Sequence, residues 1–485
     1  MASTVKELEP KMVWEYFESI SQIPRGSGNE KAISDYLVEF ARQHQLEVIQ
    51  DKALNVIIKK KASPGYENAP VVILQGHMDM VCEKNKDTVH DFLKDPLDLV
   101  VEGDYIFARG TSLGGDDGIA LAYGLALLAS DNIPHPPLEV VFTTSEETGM
   151  EGAANLDCSH LKGKILINLD SEEEGVFLSS CAGGARAHLI LKTQWVKEEK
   201  SGPVYSIQIR GLKGGHSGQE IDKERANANL LMGRILYSLQ EDMHFDLISI
   251  NGGAKDNAIP READAVIQIE SKNIEKLMKI IEKWNDILKN EYKKSDPDIE
   301  VKIELVREIS SEHLSEEIKG KIIHILMLMP NGVQSMSMDI EGLVESSTNL
   351  GVVITDKEEI RFISALRSSV ESRKRLIINK IKVLASFVGA DFLLKGEYPA
   401  WQYAEDSKIR SLFTNKYEEL FGKKAEITAI HAGLECGFFA EKIKDVDIIS
   451  LGPNMKDIHT PNERLSISST KNTWELLLAV LKEIK

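Results

Sequence analysis

Histidines and carboxylates recur in this sequence where strand-like runs give out. His77 and Asp79 follow an apolar run and Gly76 in VVILQGHMDM at 71–80, Glu146 and Glu147 follow LEVVFTT at 138–144, and Asp170 follows ILINL at 165–169. His459 lies on the loop after VDIISL at 446–451, and Asp116 and Asp117 sit in RGTSLGGDDG at 109–118, just before the apolar segment 119–129. Residues two apart in an extended chain point to the same side, so His77 and Asp79 converge just past the end of their strand. That is the edge at which open α/β sheets bind ligands. Taken singly, each ending is an ordinary loop or a solvated strand end. Four such endings directed to one edge, with Asp116 added from the start of a helix, make a constellation.

Imidazole and carboxylate without thiolate suit zinc, cobalt or manganese, and the donors are too many for a single ion. One arrangement has His77 and Asp170 on one divalent cation, Glu147 and His459 on a second, and Asp116 bridging. Three carboxylates and one bridging hydroxide then balance two dications, and a neutral buried site is far cheaper than an unbalanced one. Paired ions of this kind generate hydroxide near neutral pH and polarise a carbonyl. Asp79 is left to orient the His77 imidazole from behind, and Glu146 to take the proton of an attacking water and pass it to a leaving amine.

The elements that must position these groups read as an α/β protein. Apolar spacing predicts helices over 12–20, 31–44, 119–129, 222–239, 406–421 and 470–484. Strands are expected within 46–60 and over 71–75, 138–144, 165–169, 188–191, 205–209, 266–269, 426–430 and 446–451, with a long loop or edge excursion over 87–104. In the middle of the chain GLKGGHSG at 211–218 is too rich in glycine for a regular helix and leaves the His216 ring free to project. It is no serine nucleophile elbow, because Gln219 stands where GxSxG needs glycine. Near the end HAGLECG at 431–437 brings glycines beside Glu435, which could face a free ammonium or an imidazole of a substrate.

A chain of 485 residues with 42% hydrophobic and 28% charged residues has room for two or more cores, and its composition is that of a globular protein. The net charge of −18 repels phosphate backbones and anionic lipid, so nucleic acid is not an expected partner. No apolar run reaches membrane-spanning length and the N-terminus has no leader pattern, which predicts a cytoplasmic protein without a membrane partner. Cys82, Cys158, Cys181 and Cys436 form no CxxC pair and read as reduced structural cysteines.

The motifs HMD, LGGDDG, SEETG, INLDSEEEG and DIHTP, with NKDTVHDF, CAGGARA, GLKGGHSG, NAIPREA and HAGLECG, resemble those of the M20 metallopeptidases, within them the bacterial aminoacyl-histidine dipeptidases. The resemblance runs nearly end to end. It implies a di-zinc catalytic domain with a central mixed sheet, over 1–184 and 397–485, interrupted by an α+β lid domain over 185–396. It puts the metal ligands on His77, Asp116, Glu147, Asp170 and His459 with Asp116 bridging, the general base on Glu146, and the supporting carboxylate on Asp79. It also implies a cis peptide bond between Asp116 and Asp117. The lysine usual after this acidic pair is replaced by Gly118. In the lid, His216 matches a histidine that binds the oxyanion, while Asn257 and Arg367 match residues that contact the substrate carboxylate. Arginine suits that task because its guanidinium bonds both oxygens at once. The expected protein is a metallo-dipeptidase, a homodimer, acting on Xaa-His dipeptides such as β-alanyl-histidine and on other unblocked dipeptides. An N-acyl-amino-acid amidohydrolase and an inactive binding homologue are the alternatives.

Overall fold

The computed structural model describes residues 5–197, 202–307 and 312–485. The chain forms two compact units, one made of Met1–Cys181, Trp401–Ala429 and Leu434–Lys485, the other of Ala182–Ala400 and Ile430–Gly433. The divisions fall at 181/182 and 400/401, and the short stretch Ile430–Gly433 also goes with the second unit. It does so because the Ala182 N–H donates to the carbonyls of Ile430 and Ala432, and the His431 ring bonds the Ser347 hydroxyl.

The first unit is built on an eight-stranded mixed sheet. Its order is Glu47–Gln50, Val56–Lys60, Leu138–Thr143, Val72–His77, Ile165–Asn168, Asp447–Ser450, Val176–Cys181 and Glu426–Ile430. Val72–His77 runs parallel to both its neighbours, and Asp447–Ser450 runs parallel to Ile165–Asn168. Four adjacent strands therefore end on the same edge, which is what carries their C-terminal residues together. Strands buried on both faces read as continuous apolar runs, and Val72–His77 and Leu138–Thr143 are buried throughout.

Helix Gly115–Ala129 is apolar all round and buried from Gly115 to Leu128, so it lies inside the unit rather than on its surface. It packs between the Lys11–Ser21 helix and the Val72–His77 strand. The approach is close at Gly76, where a Cβ would stand 2.5 Å from Asp117 Oδ2. Only glycine there lets the start of this helix reach the end of that strand. The Asp116–Asp117 peptide bond is cis.

The second unit holds a nine-stranded sheet whose paired strands run antiparallel, from Glu300–Arg307 at one end to Asp391–Tyr398 at the other. Most of its apolar residues form one core with those of helices Ala228–Asp242, Ile274–Glu291, Glu316–Leu328 and Glu371–Val388, while Val344 packs with Ile221, Ile259 and Val333. Two expectations need correcting. The helix expected from 222 begins at Ala228, because Ile221–Lys223 is a 3-10 turn, Glu224 takes φ 49°, and the Asn227 side chain caps the N–H groups of Asn229 and Leu230. The stretch 87–104 is not loop throughout, since Leu99–Glu102 pairs with Tyr105–Ala108 in a hairpin. Among the described residues no helix is long and apolar enough to cross a membrane.

Candidate metal centre

Asp116 stands between two imidazoles. Its Oδ1 is 3.0 Å from His77 Nε2, and its Oδ2 is 3.2 Å from His459 Nε2. His77 Nε2 is also 3.6 Å from Asp170 Oδ1, and His459 Nε2 is 3.0 Å from the Glu147 carboxylate. Donor atoms of His77, Asp116 and Asp170 all lie within 4.8 Å of one another, as do those of Asp116, Glu147 and His459. These two sets share Asp116 and contain every residue expected to ligate. A third set of the same tightness joins His77 with Glu146 and Glu147, so Glu146 stands at the same centre.

Asp79 is fully buried beside this group. Its Oδ1 is 3.4 Å from His77 Nδ1, and its carboxylate accepts the Ser27 hydroxyl (2.8 Å) and the N–H groups of Glu146 (3.0 Å) and Glu147 (3.3 Å). One side chain thus fixes both the imidazole and the turn that presents the two glutamates.

The charges show what the donor set lacks. Burial works against a charged His77, yet Asp170, Asp116 and Asp79 hold its pKa well above the usual imidazole value. Hydrogen bonds that the ring donates to Asp116 and Glu147 push His459 up to about 10. Burial, with the charges of Glu435, Glu147 and Asp116, pushes the Glu146 carboxyl up to about 8 against the pull of His77. Asp170 is likewise held well above the carboxylate range by burial and by Asp117. The two imidazoles, which against burial hold Asp116 below the usual carboxylate range, together with Glu146 and Asp170 cling to protons; such a pocket is short of positive charge, and divalent cations on imidazole and carboxylate oxygen supply it.

Glu435, expected to face a free ammonium or an imidazole of a substrate, is fully buried in the first unit, where its Oε2 takes hydrogen bonds from Gln75 Nε2 and Thr143 Oγ1, both 2.6 Å, and its Oε1 has no hydrogen-bond partner among the described residues. Burial raises its pKa to about 7. Gln75 Oε1 in turn accepts from Asn168 Nδ2 at 2.6 Å. This polar chain crosses three central strands two residues before His77 and Asp170, and the sequence signalled it only through a glutamine and an asparagine inside apolar runs.

The remaining expected residues lie in the second unit. His216 Nδ1 accepts the main-chain N–H groups of Gly218 (3.3 Å) and Gln219 (3.1 Å), while burial and the Arg367 charge lower the pKa of the ring. The neutral ring therefore carries its proton on Nε2 as a donor. Asn257 is adjacent, its carbonyl accepting the Ser217 N–H, and Ala258 pairs with His216 across a short ladder. Arg367 donates from Nη1 to the Tyr398 hydroxyl at 3.2 Å, and its Nε has no partner among the described residues. A Cβ on Gly218 would stand 3.0 Å from that Nε and 3.1 Å from His216 Cε1, so this glycine lets the two groups come together. His431 joins them. Its Nε2 lies 2.7 Å from Ser347 Oγ, and burial, Arg367 and His216 lower its pKa to about 3. Sequence reasoning passed over His431 and Tyr398, neither of which falls at a recognisable spacing from His216 or Arg367.

A partly parallel sheet that gathers two imidazoles and several carboxylates past its strand ends is the frame of a metal-dependent hydrolase. The chain belongs to peptidase family M20/M25/M40, whose model matches residues 73–483. It is 38% identical over 482 residues to the cytosol non-specific dipeptidase of Escherichia coli strain K12, covering 99% of each protein. The crystal structure of aminoacylhistidine dipeptidase from Vibrio alginolyticus superposes with a TM-score of 0.94 at 38% identity, over 100% of this chain and 98% of that one. Aminopeptidase PepT from Bacillus cereus shares the fold, with a TM-score of 0.57 at 15% identity over 98% and 99% of the two chains. Family membership carries divalent metal ions with it, in keeping with the donor set.

Proposed function

We propose that the protein is a metal-dependent dipeptidase that hydrolyses unblocked dipeptides, including those with C-terminal histidine. The observation that carries this is the Asp116 carboxylate set between His77 and His459 with Glu146 beside it, in a chain 38% identical end to end to a protein named as a dipeptidase. His77 and Asp170 would hold one cation, Glu147 and His459 the other, with Asp116 shared. Zinc is the first choice for this donor set, and cobalt or manganese would also be accepted. Bound there, the cations would act as Lewis acids toward the scissile carbonyl and toward water.

The chain's own residues supply the rest. Glu146 takes a proton from the attacking water and returns it to the amine nitrogen as the peptide C–N bond breaks, leaving two amino acids. Asp79 keeps the His77 ring and the Glu146–Glu147 turn in place. His216 offers its Nε2–H to the oxyanion, Arg367 pairs with the substrate carboxylate, and Asn257 assists it. In this reading the second unit is a lid that selects short substrates by their free C-terminus.

The cellular setting is read as cytoplasmic, from four free cysteines and the name of the E. coli relative. A homodimer through the second unit is supported by Leu376, Val383 and Phe387, which form an exposed apolar stripe along helix Glu371–Val388. Sedimentation of the wild type against Phe387→Lys tests it, the variant being expected to sediment as the monomer.

Product release by metal-loaded protein on Xaa-His dipeptides, Ala-Ala, a tripeptide and N-acetyl-amino acids tests the function, with an EDTA-treated control. Chelator-sensitive cleavage confined to dipeptides is expected. Cleavage of the acylated amino acids alone would move the function to an amidohydrolase, and no turnover with metal bound would make the protein a binding homologue.

A further inference from the structure

Two buried ions outside the ligand set grip the loop that carries Asp116. Glu463 is 3% exposed. Its Oε2 accepts the N–H groups of Leu113 (2.7 Å) and Gly114 (2.9 Å), and its Oε1 accepts those of Gly115 (2.8 Å) and Asp116 (3.3 Å). These donors lie on the turn that leads into helix Gly115–Ala129, whose residues Asp116 and Asp117 are not helical in φ and ψ, and one carboxylate satisfies all four buried N–H groups. Arg25 is 1% exposed and takes the opposite polarity. Its Nη1 donates to the carbonyls of Met78 (3.0 Å) and Asp79 (3.1 Å), and its Nη2 donates to the carbonyl of Gly114. One guanidinium therefore ties the His77–Asp79 segment to the Asp116 loop. One carboxylate ties the same loop to the segment that carries His459, four residues before Glu463.

The glycines of LGGDDG make room for both ions. A Cβ on Gly114, which has φ +63°, would stand 2.5 Å from Arg25 Nη2, and a Cβ on Gly118 would stand equally close to it. A Cβ on Gly115 would lie 3.3 Å from Glu463 Oε1. Gly118 thus clears the space that Arg25 fills from a remote part of the chain.

We propose that Arg25 and Glu463 are positioning residues of the metal centre, which hold the Asp116 carboxylate between His77 and His459. Removing either weakens cation binding without removing a ligand. This rests on the metal reading above, and the experiment separates the two. Cobalt(II) is titrated into EDTA-stripped wild type, Glu463→Gln and Arg25→Lys, followed by calorimetry and by the visible absorption of the bound cobalt, with thermal unfolding recorded beside them. Glu463→Gln keeps the volume but turns an amide group toward two of the four N–H donors. Arg25→Lys keeps the charge but loses the planar fork that spans the two loops.

Both variants are expected to fold and to bind cobalt roughly 10–100-fold more weakly, with a changed absorption band. Wild-type affinity and spectrum in the folded variants would overturn the proposal. Where only one variant folds, that one decides by the same criteria. Failure of both to fold also counts against it, since the pair would then be structural. A wild type that binds fewer than two cobalt ions would instead overturn the metal reading.

Discussion

Asp116 turns one carboxylate oxygen to each of two histidines from distant parts of the chain, Oδ1 to His77 at 3.0 Å and Oδ2 to His459 at 3.2 Å. A carboxylate so shared is the one ligand whose loss opens both halves of the centre. Asp116→Ala is expected to retain neither cation through gel filtration and to lose activity, as measured by elemental analysis of the eluted protein. Two metal ions per chain in that variant would rule out the bridging assignment.

In the proposed mechanism Glu146 differs from the ligands in its task and not in its position, since it lies within 4.8 Å of His77 and Glu147 donor atoms. Glu146→Gln keeps the shape and removes the proton acceptor. The expected result is kcat lower by about 10²–10⁴-fold with KM within a few-fold and metal content unchanged. Loss of one metal ion in the variant would make Glu146 a ligand instead.

Most donors of the candidate metal centre could be picked out because they fall at or just past the ends of buried strands, and a buried parallel strand announces itself as an apolar run that stops. Val72–His77, Leu138–Thr143 and Ile165–Asn168 each end within two residues of the expected strand end. Arg25 and Glu463 were not legible, because they act on main-chain groups of residues about ninety and about three hundred and fifty positions away. No side-chain pattern records such a bond. The bonds that Gln75 and Thr143 make to Glu435 were not legible for a related reason, since both partners lie far from it in the sequence. The start of helix Ala228–Asp242 was missed because Asp222, Lys223, Glu224 and Arg225 are residues that the exposed face of a helix accepts, and nothing in their types announces the positive φ of Glu224.

Arg367 has a half-satisfied guanidinium, with Nη1 on the Tyr398 hydroxyl and Nε unpartnered among the described residues. A substrate carboxylate would complete it. Arg367→Ala is expected to raise KM for dipeptides by about 10–100-fold, the worth of a charge-assisted hydrogen-bond pair. The discrimination between a dipeptide and its C-terminal amide should shrink by the same factor. Equal loss on both substrates would assign Arg367 to another task.

His431 gives the second unit a pH dependence of definite sign. The ring is 7% exposed, bonded to Ser347 and faced by Arg367 and His216, and its pKa is lowered to about 3 by burial first, then by the Arg367 charge and by the neighbouring His216 ring. Unfolded, it would titrate near 6.5. Between those values the unfolded chain binds a proton that the native chain does not, so the contribution to stability is complete above about pH 6.5 and is lost as pH falls toward about 3. At about 1.4 kcal/mol per pH unit, the loss from pH 7 to pH 5 comes to about 2 kcal/mol. His431→Gln removes the titrating group and leaves a side chain that can still bond Ser347. Urea unfolding of EDTA-stripped protein at the two pH values is the measurement, because metal loss is then excluded as a cause. The wild type is expected to lose about 2 kcal/mol more than the variant over this interval, and equal losses would mean that the native ring accepts its proton at an ordinary pH.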